Sequence, residues 1–301
     1  MSNRRNLFKS SVKICAFLLV VILLKKFCYH QTDGFALYKI CSKLSYCSNW
    51  ETTTSQLMPN ELKNVLYQPY HYLAKGAQSY VFTSADKQTV IKFFRIYHLI
   101  PPIWLTTLSF PLPLQTYKIR KMLEKRSELD KDFQSYKIAF EELKDETGLL
   151  FLHLNKTDHL KKSLTIYDKI GIAYQVDLDQ MEFLIQKRAT LVYPSISNLV
   201  EKEGLDAAKE AISELVNLLV LRCEKGIFDK DPDLNTNFGF LHTIPVQIDI
   251  GRFRKNEENK QNGNYHDEIT RITDNFHQWL DRNYPTLSEH LLREIQKIPN
   301  S

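Results

Sequence analysis

Glycine is scarce in this chain, at 9 of 301 residues, and cysteine is scarcer, at 5. The cysteines are odd in number and include no CxxC pair, which argues against a thiolate zinc site. His242, His266, His277 and His290 show no H-x-x-x-H or similar ligand spacing, so metal-hydrolase chemistry has no support. Neither sign of charge dominates. The 40 basic and 35 acidic side chains leave a net +5, spread along the sequence without a basic, aromatic-laced stripe, and nucleic acid is not an expected partner. Internal repeats and low-complexity tracts are also missing. With 43% hydrophobic and 25% charged residues, the composition is that of a globular protein able to bury one or two cores.

One apolar run stands out, Ile14 to Leu24, with Arg4, Arg5, Lys9 and Lys13 before it and Lys25 and Lys26 after. A spanning helix needs about 20 apolar residues and a signal-peptide core about 7 to 15. Snorkelling lysines at both ends would let Val12 to Phe27 cross a thinned bilayer. No small-x-small cleavage site follows Leu24, so residues 1–27 read as an uncleaved membrane anchor in preference to an export signal or a buried core helix. The basic flanks favour an N-terminus inside and the bulk of the chain translocated. A Cys41 to Cys47 disulfide would follow only if that stretch is exported.

Residues 28–66 are polar and Thr/Ser/Asn-rich and read as a linker or short helical collar. Strand-like runs His71 to Thr83 and Gln88 to Phe94 flank the turn-forming Ser84-Ala-Asp-Lys87, a hairpin pattern. The apolar insert Ile100 to Pro113 has too many prolines for one helix, and packs on the membrane or caps the domain. From Tyr117 to about Lys144, Phe133, Tyr136, Phe140 and Leu143 form an amphipathic stripe. Strand candidates follow at Leu149 to Leu154, Ser163 to Tyr167, Gly171 to Val176 and Met181 to Gln186. Then helices take over. Ala208, Ala211, Ile212, Leu215, Leu218, Leu219 and Arg222 define one and Ile269, Ile272, Phe276 and Trp279 another, with a short hairpin at Phe238 to Leu241 and Val246 to Ile250 between them. The pattern predicts a two-lobed α+β fold, a β-rich lobe with a long helix over 67–190 and a helical lobe over 191–301.

Three motifs lie in fixed order on that frame. The first is Leu73-Ala74-Lys75-Gly76-Ala77-Gln78-Ser79-Tyr80-Val81, followed by Val90-Ile-Lys92. A hairpin of low bulk whose backbone N–H groups cover phosphates, with one ammonium from the next strand, is what a nucleoside triphosphate requires. The second, Asp229-Lys-Asp231-Pro-Asp233-Leu-Asn-Thr-Asn237, offers a carboxylate for an acceptor hydroxyl and an oxygen for Mg2+. Its aspartates match the first half of an EF-hand loop, but Leu234 replaces the turn glycine and Phe240 the bidentate glutamate. The third is Asp249 at the end of an apolar strand, followed by Gly251.

In this order the motifs resemble the protein-kinase-like superfamily, in particular small divergent bacterial members such as aminoglycoside and sugar kinases, and the chain looks like kinase-like proteins of obligate intracellular bacteria. The resemblance covers roughly residues 67–301. It implies ATP and magnesium as cofactors, Lys92 on the phosphates, Asp231 as base, Asn237 and Asp249 as metal ligands, and a small molecule, sugar or glycolipid as acceptor. The acid partner of Lys92 falls among Glu128, Asp132, Glu141 and Glu142, and Asp132, mid-helix, is chosen. Several positions depart from the pattern. Ala74 and Ser79 stand for the outer glycines, the Asp231 to Asn237 interval is 6 where the family has 5, no His or Tyr stands two before Asp231, and Asp233 takes the place of a common lysine. No Ala-Pro-Glu string follows Asp249, so a platform for protein substrates is not expected. The alternative is a membrane-tethered pseudokinase, a nucleotide-binding or interaction module. A translocated domain would also need ATP in the compartment it reaches.

Overall fold

The computed structural model describes residues 2–52, 60–95, 100, 112–256 and 265–299. Most of the proline-bearing insert and of the polar stretch before residue 265 lies outside the described residues. The chain opens with α1 (Ser2–Thr32), of which Lys13–Thr32 has a mean hydropathy of 1.6 and no buried residue, making it long and apolar enough to cross a membrane. After α2 (Asn60–Val65) come β1 (Tyr70–Lys75), β2 (Ser79–Ser84) and β3 (Thr89–Phe94), then α3 (Leu112–Glu142) and the single turn α4 (Lys144–Thr147). Strands β4 (Leu149–His153), β5 (Ser163–Tyr167), β6 (Ala173–Asp177) and β7 (Phe183–Lys187) complete one sheet, in the order β4-β7-β3-β2-β1-β5-β6. The expected single strand His71 to Thr83 is in fact two, because Gly76 and Ser79 close a turn within it, the Gly76 N–H donating to Ser79 O at 2.9 Å.

Register divides the sheet into two faces. Tyr72 pairs with Phe82, Phe82 with Ile91 and Ile91 with Ile185, which puts these four on the outer face. Ala74, Val81, Lys92 and Leu184 pair in the same way across the inner face. The outer face is covered by Phe35, Ile40, Leu62 and Leu66, all buried. Residues 28–66, expected to be a linker from their polar composition, thus contain a belt that closes the core. Each such burial contributes about 1.5 to 3 kcal/mol, and most of the described polar residues between them stay hydrated at the surface. The inner face packs on Phe133, Tyr136, Phe140 and Leu143 of α3, the stripe read from the sequence, and on Leu129. Cys41 and Cys47, within the belt, remain free thiols.

The second lobe holds β8 (Thr190–Leu191), α5 (Val192–Glu203), α6 (Leu205–Glu224), β9 (Ile227–Asp229), β10 (Phe238–Leu241), β11 (Ile244–Gln247), β12 (Phe253–Lys255), α7 (Tyr265–Asn283) and α8 (Pro285–Gln296). Its core is built from the apolar faces of α5, α6, α7 and α8. Helix α5, absent from the sequence reading, carries Ile196 and Leu199 one turn apart into that core but has Pro194 in its first turn, which obscured the period. The fold is α+β and two-lobed, with an N-terminal apolar helix.

Candidate functional site

Lys92 lies on the inner face of β3, and its ammonium donates a 2.6 Å hydrogen bond to the backbone oxygen of Ile248, the residue before Asp249. Burial pushes the Lys92 ammonium below the usual lysine range, and the Asp249 carboxylate opposes that shift. None of the ion pairs among the described residues involves Lys92, so the expected pairing with Asp132 does not form. Burial raises the Asp132 carboxyl, against Arg254 and an amide hydrogen bond from Gln78. The reason is spacing on α3. The residue that reaches the cleft floor is Tyr136, one turn further on, whose hydroxyl donates to Gln78 Oε1 at 2.6 Å.

The hairpin tip is held down from both sides. Arg95 donates from its guanidinium to Gly76 O at 3.1 Å and Ala77 O at 3.0 Å, and from its backbone N–H to Gln78 O at 2.8 Å. Gln78 in turn lies directly over Gly251, where any Cβ would collide with its Oε1. Helix α3 is fastened to the same segment by Ser135, whose hydroxyl donates to Ile250 O at 2.5 Å and accepts from Phe253 N–H at 2.6 Å.

The loop after β9 is organised by its own aspartates. Asp233 accepts from the Asn235 N–H at 3.0 Å and from the Thr236 hydroxyl at 2.8 Å, and Leu234 is buried beneath the turn. Asn237 donates from its amide nitrogen to Asp231 O at 2.7 Å, and its backbone oxygen accepts from Ile248 N–H at 2.7 Å and Asp249 N–H at 3.2 Å. These bonds bring the Asn237 side-chain oxygen and the exposed Asp249 carboxylate to adjacent, hydrogen-bonded backbones. Asp231 is exposed and ion-pairs with Arg252 at 3.2 Å. Two oxygen donors of this kind suit Mg2+, which prefers one or two protein ligands, phosphate oxygens and retained water.

Beneath the loop lies a buried polar chain that sequence reasoning missed. Arg222, 2% exposed, donates to Gln247 Oε1 at 2.8 Å, and Gln247 donates to Asp229 Oδ2 at 2.5 Å and to Asp249 O at 3.2 Å. Asp229 also accepts the Asp231 N–H at 3.0 Å, and burial holds its carboxyl above the usual range. Two signals were present: an arginine inside the apolar stripe of α6, and polar residues at Asp229 and Gln247, each two before a candidate site aspartate, where a strand points inward.

No family model matches the sequence, and no curated protein matches it. Among solved structures, the ROP18 kinase domain in complex with AMP-PNP and sucrose overlaps 62% of this chain and 51% of its own, at 15% identity and a TM-score of 0.33. The bifunctional kinase-methyltransferase WbdD overlaps 74% of this chain and 44% of its own, at 12% identity and a TM-score of 0.33. The Rv3197–erythromycin complex from Mycobacterium tuberculosis overlaps 81% and 57%, at 13% identity and a TM-score of 0.32. The chain spans about half the length of these solved chains.

Proposed function

We propose that the protein binds ATP with Mg2+ between the lobes and transfers a phosphoryl group to a hydroxyl of a small molecule, sugar or glycolipid, from a domain anchored to a membrane by α1. The observation that carries the reading is the tie between Lys92 and Ile248 O, which sets the strand ammonium beside Asp249 with Asn237 on the same backbone pair. Phosphoryl transfer is catalysed mainly by positioning and charge stabilisation. Lys92 would meet the α and β phosphates, Leu73, Ala74 and Val81 would line the roof, and the backbone from Lys75 to Ser79 would cover the phosphates. Asn237 and Asp249 would hold Mg2+, which when bound neutralises charge on the phosphate oxygens. Asp231 is the base candidate, because it is exposed beside Asn237 whereas Asp229 is buried and engaged.

A pseudokinase is the second reading, and one contact favours it: Arg252 forms an ion pair with one oxygen of Asp231 at 3.2 Å, which draws the carboxylate away from service as a base. The first test is a nucleotide-dependent thermal shift of the full chain in detergent, with and without Mg2+. A rise in melting temperature with ATP, larger with Mg2+, is expected. No shift at millimolar ATP would remove the kinase and the nucleotide-binding pseudokinase, leaving only an interaction module.

A further inference from the structure

Strands β5 and β6 extend the sheet beyond β1 and carry none of the residues assigned to the cleft. Their connecting turn is Asp168-Lys-Ile-Gly-Ile172. Turn residues are normally small or polar because the tip faces water, yet Ile170 and Ile172 are 52% and 49% exposed. That exposure is built in. Asp168, itself buried, accepts through Oδ1 from the N–H groups of Ile170 at 3.1 Å and Ile172 at 2.9 Å, and through Oδ2 from the Tyr174 hydroxyl at 3.2 Å. Gly171, at φ +84°, closes the turn by donating to Asp168 O at 3.0 Å. A carboxylate committed in this way holds both isoleucines outward, not displaced from a core.

The turn also has a definite place in the fold. Lys169 reaches Asp33 with a 2.9 Å ion pair, and Asp33 directly follows the apolar helical segment Lys13–Thr32. At the same helix end Lys75 donates to the Tyr29 hydroxyl at 2.6 Å and Lys39 to Gly34 O at 2.5 Å. Before this foot α1 is exposed from residue 13 to residue 31, so it stands clear of the domain. Lysines and tyrosine around the end of an apolar helix are the composition of a bilayer interface, where ammonium groups meet lipid phosphates and amphipathic rings sit at headgroup depth.

We propose that the 168–172 turn is a second membrane contact, with Ile170 and Ile172 inserted at the boundary of headgroups and acyl chains beside α1, and Lys169, Lys75 and Lys39 level with the lipid phosphates. The contact rests on α1 being a membrane anchor and is independent of the phosphotransferase reading. The domain is then held to the bilayer at two points and cannot pivot about α1.

The test places an environment-sensitive fluorescent amino acid at position 170, at position 21 within α1, or at exposed position 46, in full-length protein at one copy per nanodisc of mixed phosphatidylcholine and phosphatidylglycerol. A blue shift at position 170, with quenching by lipids bearing a nitroxide near the headgroup, is expected. Position 21 should be quenched by deeper nitroxides, and position 46 only by aqueous iodide. An aqueous signal at 170 with a lipid signal at 21 overturns the second contact and leaves the anchor intact; aqueous signals at both overturn the two together. Ile170→Asp with Ile172→Asp serves as the folding control, since exposed side chains should leave the melting temperature unchanged. In nanodiscs that double variant should expose the bond after Lys169 to trypsin, which the unmodified turn protects. Protection that appears only when two copies share a disc would instead assign the turn to a contact between copies and overturn the membrane contact.

Discussion

The Gln78 side chain reaches across the cleft to the Tyr136 hydroxyl, and the absence of a side chain at Gly251 is what makes room for it. Gly251→Ala is therefore expected to displace Gln78, losing its hydrogen bonds at a cost of about 1 to 2 kcal/mol. In a Gln78→Ala background the same alanine should be nearly neutral, a coupling that a double-mutant cycle of denaturant unfolding measures directly. Independent, additive effects would show that the two residues do not share this space.

Lys92 separates binding from stability. Lys92→Met removes both the buried ammonium and its bond to Ile248 O, so the desolvation relieved and the bond lost offset each other and stability should change by less than about 1.5 kcal/mol. Affinity for ATP should fall by about 1.5 to 3 kcal/mol, the worth of a charge-assisted contact. Calorimetric titration of both proteins gives the comparison, and equal affinities would remove Lys92 from the site.

Asp231 and Asp249 should part company in kinetics. Asp231→Asn is expected to leave nucleotide affinity within about two-fold while lowering turnover by roughly 10² to 10⁴, the range for loss of a general base. Asp249→Asn should damage both. ATP hydrolysis or autophosphorylation, followed by a screen of sugar and glycolipid acceptors, provides the readout. Full activity in Asp231→Asn would refute that base, and a domain that binds ATP without turnover would be the pseudokinase.

The chain Arg222–Gln247–Asp229 should behave as one buried unit. Arg222→Met leaves Asp229 without its nearby positive charge and Gln247 with an open acceptor, and is expected to cost about 3 to 5 kcal/mol, read as a lower urea midpoint at unchanged slope. A loss below about 1 kcal/mol would mean the chain is not stabilising.

Glu182 gives stability a pH dependence. Its side chain is buried beside the Ser42 hydroxyl, one oxygen lacks a partner, and burial pushes its pKa up to about 7. Between the ordinary glutamate range and pH 7 the folded protein binds more protons here than the unfolded chain, so stability from this group falls as pH rises through that window, by about 3 kcal/mol in all. Glu182→Gln should flatten that slope and raise the melting temperature at pH 8. An unchanged pH profile would rule out Glu182 as its source.

Much of this fold could be read from periodicity. The stripe Phe133, Tyr136, Phe140 and Leu143 and the strand Ser163–Tyr167 emerge where the sequence put them, because their patterns repeat over several turns or alternate cleanly. The belt was hidden because Phe35, Ile40, Leu62 and Leu66 are spaced by contacts with a distant sheet and follow no local period. Of the proposed site, Lys92, Asn237 and Asp249 stand out in the sequence as residue types in order. The Gln78–Tyr136 contact was not, since it joins a hairpin tip to a helix 58 residues away. Asp132 was misplaced for a related reason: choosing among four acids on one helix needs its rotation about the axis, which only tertiary packing sets.

The belt also fixes how far the cleft can reach. A free linker over residues 28–66 would span more than about 100 Å when extended and would wander over roughly 35 Å as a flexible coil. With Phe35 already in the core two residues past Asp33, that leash has no slack. For the phosphotransferase proposed above, a helix seated in a bilayer would hold the cleft at constant height over any acceptor that drifts laterally in the lipid plane.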